Sequence, residues 1–216
     1  MRSAIMDDVL IGDRSDIVIE LMILKSNIPG FFVDVTKIML SSNLDSARLS
    51  SVASRIHQLR IDLLKWNNDY EALLSHVSRI SKGSAEYDRR CKVFATYLSC
   101  IIISSRLLGA LSSSERVELE DDTRNYAGQM QDLELEVKSS TSAAALFMAQ
   151  TLGVAQATLA TSKDWLQGEP IAKLESVSPE GFISVSPERE VKRDSTGLIH
   201  FWKFAKWNKH CGRKIF

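Results

Sequence analysis

Proline is scarce in this chain and unevenly placed. There are four in 216 residues, and after Pro29 none occurs until Pro170. A proline inside a helix costs about 3 kcal/mol, so so long a proline-free stretch is what a run of helices shows. Cysteine is scarce too. Cys91, Cys100 and Cys211 are scattered, with no Cys-x-x-Cys pair. That excludes a disulfide framework and a clustered-thiol zinc site, and leaves buried or half-buried thiols in a reducing compartment. Net charge is absent: 27 basic residues balance 27 acidic ones, so there is no global signature of a nucleic-acid or membrane binder. Long apolar runs are missing as well. The most apolar run, Val93 to Ser105 between Lys92 and Arg106, falls short of the roughly 20 residues that span a bilayer and reads as a buried core helix. Met1 to Asp8 carries Asp7 and Asp8 and no apolar stretch, so it reads as no secretory signal. There is no Gly-x-Ser-x-Gly, no P-loop and no Gly-x-Gly-x-x-Gly, which leaves nucleophilic catalysis and nucleotide binding without support. His57, His76, His200 and His210 stand at no metal-ligand spacing.

What is present is an ordinary globular composition, 44% hydrophobic and 25% charged, enough for one core or a domain plus a tail. Its most regular stretch is the series Leu49, Val52, Ile56, Leu59, Leu63, Trp66, Tyr70, Leu73, Val77, Ile80. The steps alternate three and four without a break. A repeat of about 3.5 residues keeps one narrow stripe facing a neighbour, so this is a heptad seam on one continuous helix. Arg55, Gln58, Arg60, Asp62, Lys65, Asn67, Asp69 and Glu71 lie off the seam and belong in water. Asn43 or Asp45 is placed to cap it.

Two short helices precede it, Ile17 to Leu24 and Phe31 to Leu40, with a turn expected at Pro29-Gly30. After it, Lys82-Gly83-Ser84 is a breaker. The next helix, Ala85 to Leu111, is apolar nearly all round in its second half, which predicts a central, buried element. Ser112 and Glu115 fit a capping box for a third main helix over Ser114 to Lys138. Ser139 to Ser142 breaks the pattern again. A fourth, small-residue-rich helix is expected over Ala143 to Trp165, where alanines and Gly153 permit close approach. The fold expected is all-α: an irregular antiparallel bundle of four main helices and two short N-terminal ones. Residues 1–167 form the bundle domain and residues 168–197 a flexible Ser/Pro-rich connector. Residues 198–216 form a basic aromatic tail with one short C-terminal amphipathic helix.

Three features carry candidate chemistry. The first is the acidic face of the third main helix, Glu118, Asp121 and Asp122. Carboxylates so clustered can hold Mg²⁺, but no second motif faces them, and acids at a helix start stabilise its dipole in any case; no metal or other cofactor is assigned. The second is the tail, with Trp202, Lys203, Lys206, Trp207, Lys209, Arg213 and Lys214 and no acid. It is suited to contact phosphates or a membrane surface, or to dock on the bundle and pair with the acidic helix; docking is the reading adopted. The third is a short repeat, Ser176-Val177-Ser178-Pro179-Glu180 and Ser184-Val185-Ser186-Pro187-Glu188. It offers Ser178 and Ser186 to proline-directed phosphorylation, against the plainer reading as turns.

The run Ile56-His57-Gln58-Leu59-Arg60-Ile61-Asp62-Leu63-Leu64-Lys65-Trp66 resembles a helix in the C-terminal regulatory region of fungal zinc-cluster transcription factors. Cys100 to Leu111 and Ala143 to Trp165 look like other helices there, and Lys206 to Lys214 is similar to the tryptophan-and-basic end of such proteins. The resemblance spans Leu44 to Trp165 and the tail. The family's DNA-binding element is a six-cysteine cluster holding two zinc ions, which three scattered cysteines cannot build. The resemblance therefore implies a non-enzymatic, transcription-regulator-like protein, nuclear or cytoplasmic. It would act through protein partners, self-association by the Leu49–Ile80 seam included, without direct nucleic-acid or membrane binding. The alternative is a small helical enzyme or accessory protein of a fungal metabolic pathway with an interhelical ligand pocket.

Overall fold

The computed structural model describes residues 16–41, 45–75, 81–112, 114–138 and 144–166. Among these the chain is all-α, in six helices: α1 (Ile17–Ser26), α2 (Ile28–Leu40), α3 (Ser46–Ser75), α4 (Ala85–Leu111), α5 (Arg116–Lys138) and α6 (Ala144–Leu166). Residues 167–216, which hold all of the expected connector and all of the tail, lie outside the described residues.

The helix boundaries have local causes. Asp16 caps α1 by accepting from the Val18 amide at 2.8 Å. Asp45 caps α3, accepting from Ala47 and Arg48 amides at 3.0 and 3.2 Å, which satisfies amides that have no intrahelical partner. Gly83 takes φ +82°, a left-handed turn that glycine enters without strain, and Ser84 then caps α4 through the Tyr87 amide. Two expectations shift. The turn between α1 and α2 is at Asn27, and Pro29 sits inside the first turn of α2, where its missing N–H would have had no partner anyway. Ser112 does not cap α5. Its amide closes the end of α4 on the Leu108 carbonyl at 2.8 Å, and α5 opens from the Glu115 carbonyl.

Cross-helix pairs define the packing. Arg60 of α3 reaches Ser105 of α4, and Trp66 stacks on Tyr97 at 5.6 Å between ring centres; ascending α3 therefore descends α4. Tyr97 meets Tyr126, and Arg106 meets Glu120, so α5 also runs antiparallel to α4. Arg106 meets Thr161, and Trp165 lies over Gly109, so α6 runs parallel to α4. Thus α4 is the axis, with α3, α5 and α6 around it. It is long and apolar enough to cross a membrane, but 94% of its most apolar window is buried within the protein. The short helices close the remaining side: the Trp66 indole N–H donates to the Ile17 carbonyl at 2.6 Å, and Arg55 of α3 lies over the Phe31 ring of α2.

The heptad seam faces this core. Val52, Ile56, Leu59, Leu63, Trp66 and Tyr70 are buried, Leu49 is half-buried, and Leu73 is 52% exposed; Val77 and Ile80 lie outside the described residues. The helix does lie along other helices, but they belong to its own chain. Six seam side chains are consequently covered and do not form a free self-association surface. Off the seam, Ile61 is 46% exposed. Leu63→Ala should therefore lower stability by about 2–5 kcal/mol and Ile61→Ala by no more than about 0.5 kcal/mol, read as shifts of the urea midpoint; equal shifts would mean that the seam does not face the core.

Candidate functional site

Polar side chains gather in two places, one sealed and one open. The sealed one centres on Arg106. It stands in the apolar half of α4, and its side chain is 0% exposed, as is that of Glu120 on α5. The guanidinium donates to Glu120 Oε1 at 2.7 Å, to the Thr158 carbonyl at 2.9 Å and to Thr161 Oγ1 at 3.2 Å. The Trp165 ring covers it at 4.5 Å. Next to it, Arg116 Nε donates to the Gly109 carbonyl at 2.9 Å, across the turn from α4 to α5. Burial pushes the Glu120 carboxyl above its ordinary value, opposed by the Arg106 guanidinium and the Ser162 hydroxyl. Burial also lowers Arg116 and pushes the Cys100 thiol up to about 12. A desolvated ion pair of this kind is weak evidence of net stabilisation, yet removing one partner is severe because the other charge stays buried. With no opening to solvent, the cluster is a clamp tying α4, α5 and α6 together.

This clamp was not anticipated. Arg106 reads in sequence as the polar flank of an apolar run, yet it is buried among that run. The only signals are a lone cation within an apolar stretch, a glutamate one helix on, and Thr158, Thr161 and Ser162 on one face of α6.

The open place is a groove of about 390 Å³ between the N-terminal half of α3 and the junction of α4 with α5. Its α3 wall is Leu49, Ser50, Ala53, Ser54 and His57, one face at helical spacing with nothing larger than leucine above His57. Leu108 and Leu111 of α4 form its floor, and Ser112 and Glu115 its other rim. Past His57 it ends where Arg60 bridges from α3 to Ser105 Oγ at 3.1 Å and to the Asp122 carboxylate of α5. That bridge ties α3 to α5, and the groove lies on its Leu49 side.

The acidic face stands beside this gap and does not act as one cluster. Asp122 pairs with Arg60 and remains 40% exposed. Asp121 is 3.7 Å from Arg124. Glu118, like Glu115, is exposed and makes no ion pair with a described residue. Farther along α5, Glu136 pairs with Lys82 and Glu134 with Lys138. Among the described residues no group of three or more His, Cys, Asp or Glu side chains converges for a metal ion. The tail residues Trp202, Lys203, Lys206, Trp207, Lys209, Arg213 and Lys214, with Ser178 and Ser186, lie outside the described residues.

No protein-family model, curated protein or solved structure matches the chain.

The clamp makes a specific demand on pH. Arg106→Met should cost about 3–5 kcal/mol at neutral pH, and Arg106→Met with Glu120→Leu should recover most of it. In the single variant Glu120 lacks its cation, so its folded pKa rises further above the unfolded value. Stability from such a group is full below the unfolded pKa and is lost as pH rises through the folded one. Chemical unfolding should therefore find Arg106→Met less destabilised near about pH 4 than near about pH 7 relative to the native chain; a deficit independent of pH would overturn the buried charge.

Proposed function

We propose that this chain is a non-catalytic helical interaction module whose acceptor is the groove between α3 and the α4–α5 junction. The single observation that carries this reading is the groove's make-up. Leu49, Ala53, Leu108 and Leu111 give apolar contact, Ser50, Ala53 and Ser54 leave room for a backbone, and Glu115 stands at the rim. An amphipathic helix laid apolar face down into such a groove is a recurring recognition mode. Glu115 and Glu118, without ion pairs to described residues, favour a basic helix over an acidic one. A rim charge of this kind acts mainly on partner choice and association rate.

The finer setting, a transcription-regulator-like protein in a nucleus, rests on the resemblance to the regulatory region of zinc-cluster factors. The groove fits a regulator that works through other proteins. A second reading has one observation in its favour: the groove's volume falls in the range of about 300–1,000 Å³ typical of small-molecule sites. That would suit the accessory protein of a metabolic pathway.

Fluorescence anisotropy with two synthetic amphipathic helices, one lysine-faced and one glutamate-faced, tests the first reading. The full chain should bind the basic peptide more tightly, lose it on Ala53→Trp, and weaken with added salt. Equal binding of both peptides, or binding indifferent to Ala53→Trp, would sink it. Substitution of the acids separates the second reading. Asp121→Asn should leave stability and binding unchanged, and Asp122→Asn should cost about 0.2–1 kcal/mol as an exposed pair lost. Loss of a bound small molecule or of a chemical activity in either variant would favour the metabolic protein.

A further inference from the structure

We propose that the groove's occupant is the chain's own C-terminal segment, residues 198–216, docked in cis. This rests on the reading of the groove as an acceptor for a basic amphipathic helix and names the helix. Three observations select the segment.

The first is charge. Residues 198–216 hold Lys203, Lys206, Lys209, Arg213 and Lys214 and no Asp or Glu. Glu115 lines the groove, and Glu118, one turn further along α5, is exposed; neither makes an ion pair with a described residue. The other end of the chain lacks this complementarity: residues 1–15 set Asp7, Asp8 and Asp13 against Arg2 and Arg14. The second is pattern. Phe201, Phe204, Asn208, Cys211 and Ile215 follow one another at steps of three and four, the spacing of one helix face. At about 100° per residue, Lys206 and Arg213 fall on the opposite face. A helix so built would present Phe201 and Phe204 to an apolar floor, with Lys203, Lys209 and Lys214, about 100–120° round from that face, at its flanks towards Glu115 on the rim.

The third is where the chain leaves the bundle. Trp165 is held against Gly109 and over Arg106, so α6 ends at Leu166 beside the end of α4. Leu108, Leu111 and Ser112, which line the groove, belong to that same end. Residues 168–197 then supply about 30 residues of connector, a root-mean-square reach of roughly 30 Å, across one end of a single bundle. Tethering at that range gives an effective concentration of the order of millimolar, so weak docking suffices to keep the groove occupied. A partner helix would have to displace the tail, which makes the tail a competitive guard of the interaction site.

Zero-length carbodiimide coupling of lysine amines to carboxylates, read by mass spectrometry, tests this on the full chain mixed from ¹⁴N- and ¹⁵N-labelled protein. The native pair Lys82–Glu136, 3.0 Å apart, serves as the internal control. The expected result joins Lys203, Lys206 or Lys209 to Glu115 or Glu118 within one isotopic label. Links between unlike labels would assign the groove to a second copy and overturn docking in cis. Tail links only to Asp132, Glu134 or Glu136, or none beside an intact control, would overturn it as well. A full chain carrying Phe201→Asp and Phe204→Asp should lose the links and bind the lysine-faced peptide more tightly. If that variant binds the peptide no better than the native chain, the tail is not the guard, while the groove reading stands. If neither chain binds it at Ala53-dependent affinity, the groove reading fails first and the tail assignment with it.

Discussion

A guanidinium in the middle of the most buried helix is the constraint on which the rest of this structure depends. Arg106 has no route to water: α3, α5 and α6 surround α4, and Arg106 is 1% exposed. A charge so placed is tolerated only when a counter-charge and hydrogen-bond acceptors reach it. Glu120 must therefore present its carboxylate at that level of α5, and α6 must turn Thr158 and Thr161 towards the same point. The clamp sets the register of three helices at once. Apolar contacts, which tolerate sliding, would not do so. Trp165 and Arg116 finish the seal where α4 ends.

The opposite half of α4 is held by shape. Trp66, Tyr70, Tyr97 and Tyr126 form a continuous aromatic contact from α3 across α4 to α5, with rings offset-stacked or edge-on as their quadrupoles prefer. Phe94 extends it. Burial raises the Tyr97 hydroxyl's pKa, with Tyr126 as the next contributor, so this contact stays neutral. One half of the axis is thus fixed by a paired charge and the other by rings.

Between the two halves, Arg60 ties α3 to α5 through Asp122. This pair is half in water, so it adds little stability by itself. Its consequence is geometric. It marks where the groove ends, since the α3 residues that line the groove, Leu49 to His57, all precede Arg60. The groove, with its small-residue wall and Glu115 at its rim, lies on the N-terminal side of that bridge along α3. The same end of the bundle holds the end of α6 at Leu166.

The helices themselves were legible in sequence. Their spacing is local: the seam from Leu49, the breaker at Gly83 and the apolar second half of α4 each follow from a few neighbouring residues, and Ala85–Leu111 matches the observed helix. That α4 would be central was legible too, because a helix without a polar face has nowhere else to go. Whether the seam served a partner or the chain's own core was not, since a stripe of apolar residues is the same for either neighbour. Pro29 and Ser112 were misread because a proline suits both a turn and a first helical turn, and a serine suits both ends of a helix. The role of Arg106 lay beyond local reading altogether: its partners are 14, 52 and 55 residues away in sequence. The groove likewise exists only where residues of α3, α4 and α5 meet. Periodicity determined what each helix would bury; the tertiary packing decided which charges met, which acids stayed open and where a gap remained, because those depend on distances no local pattern encodes.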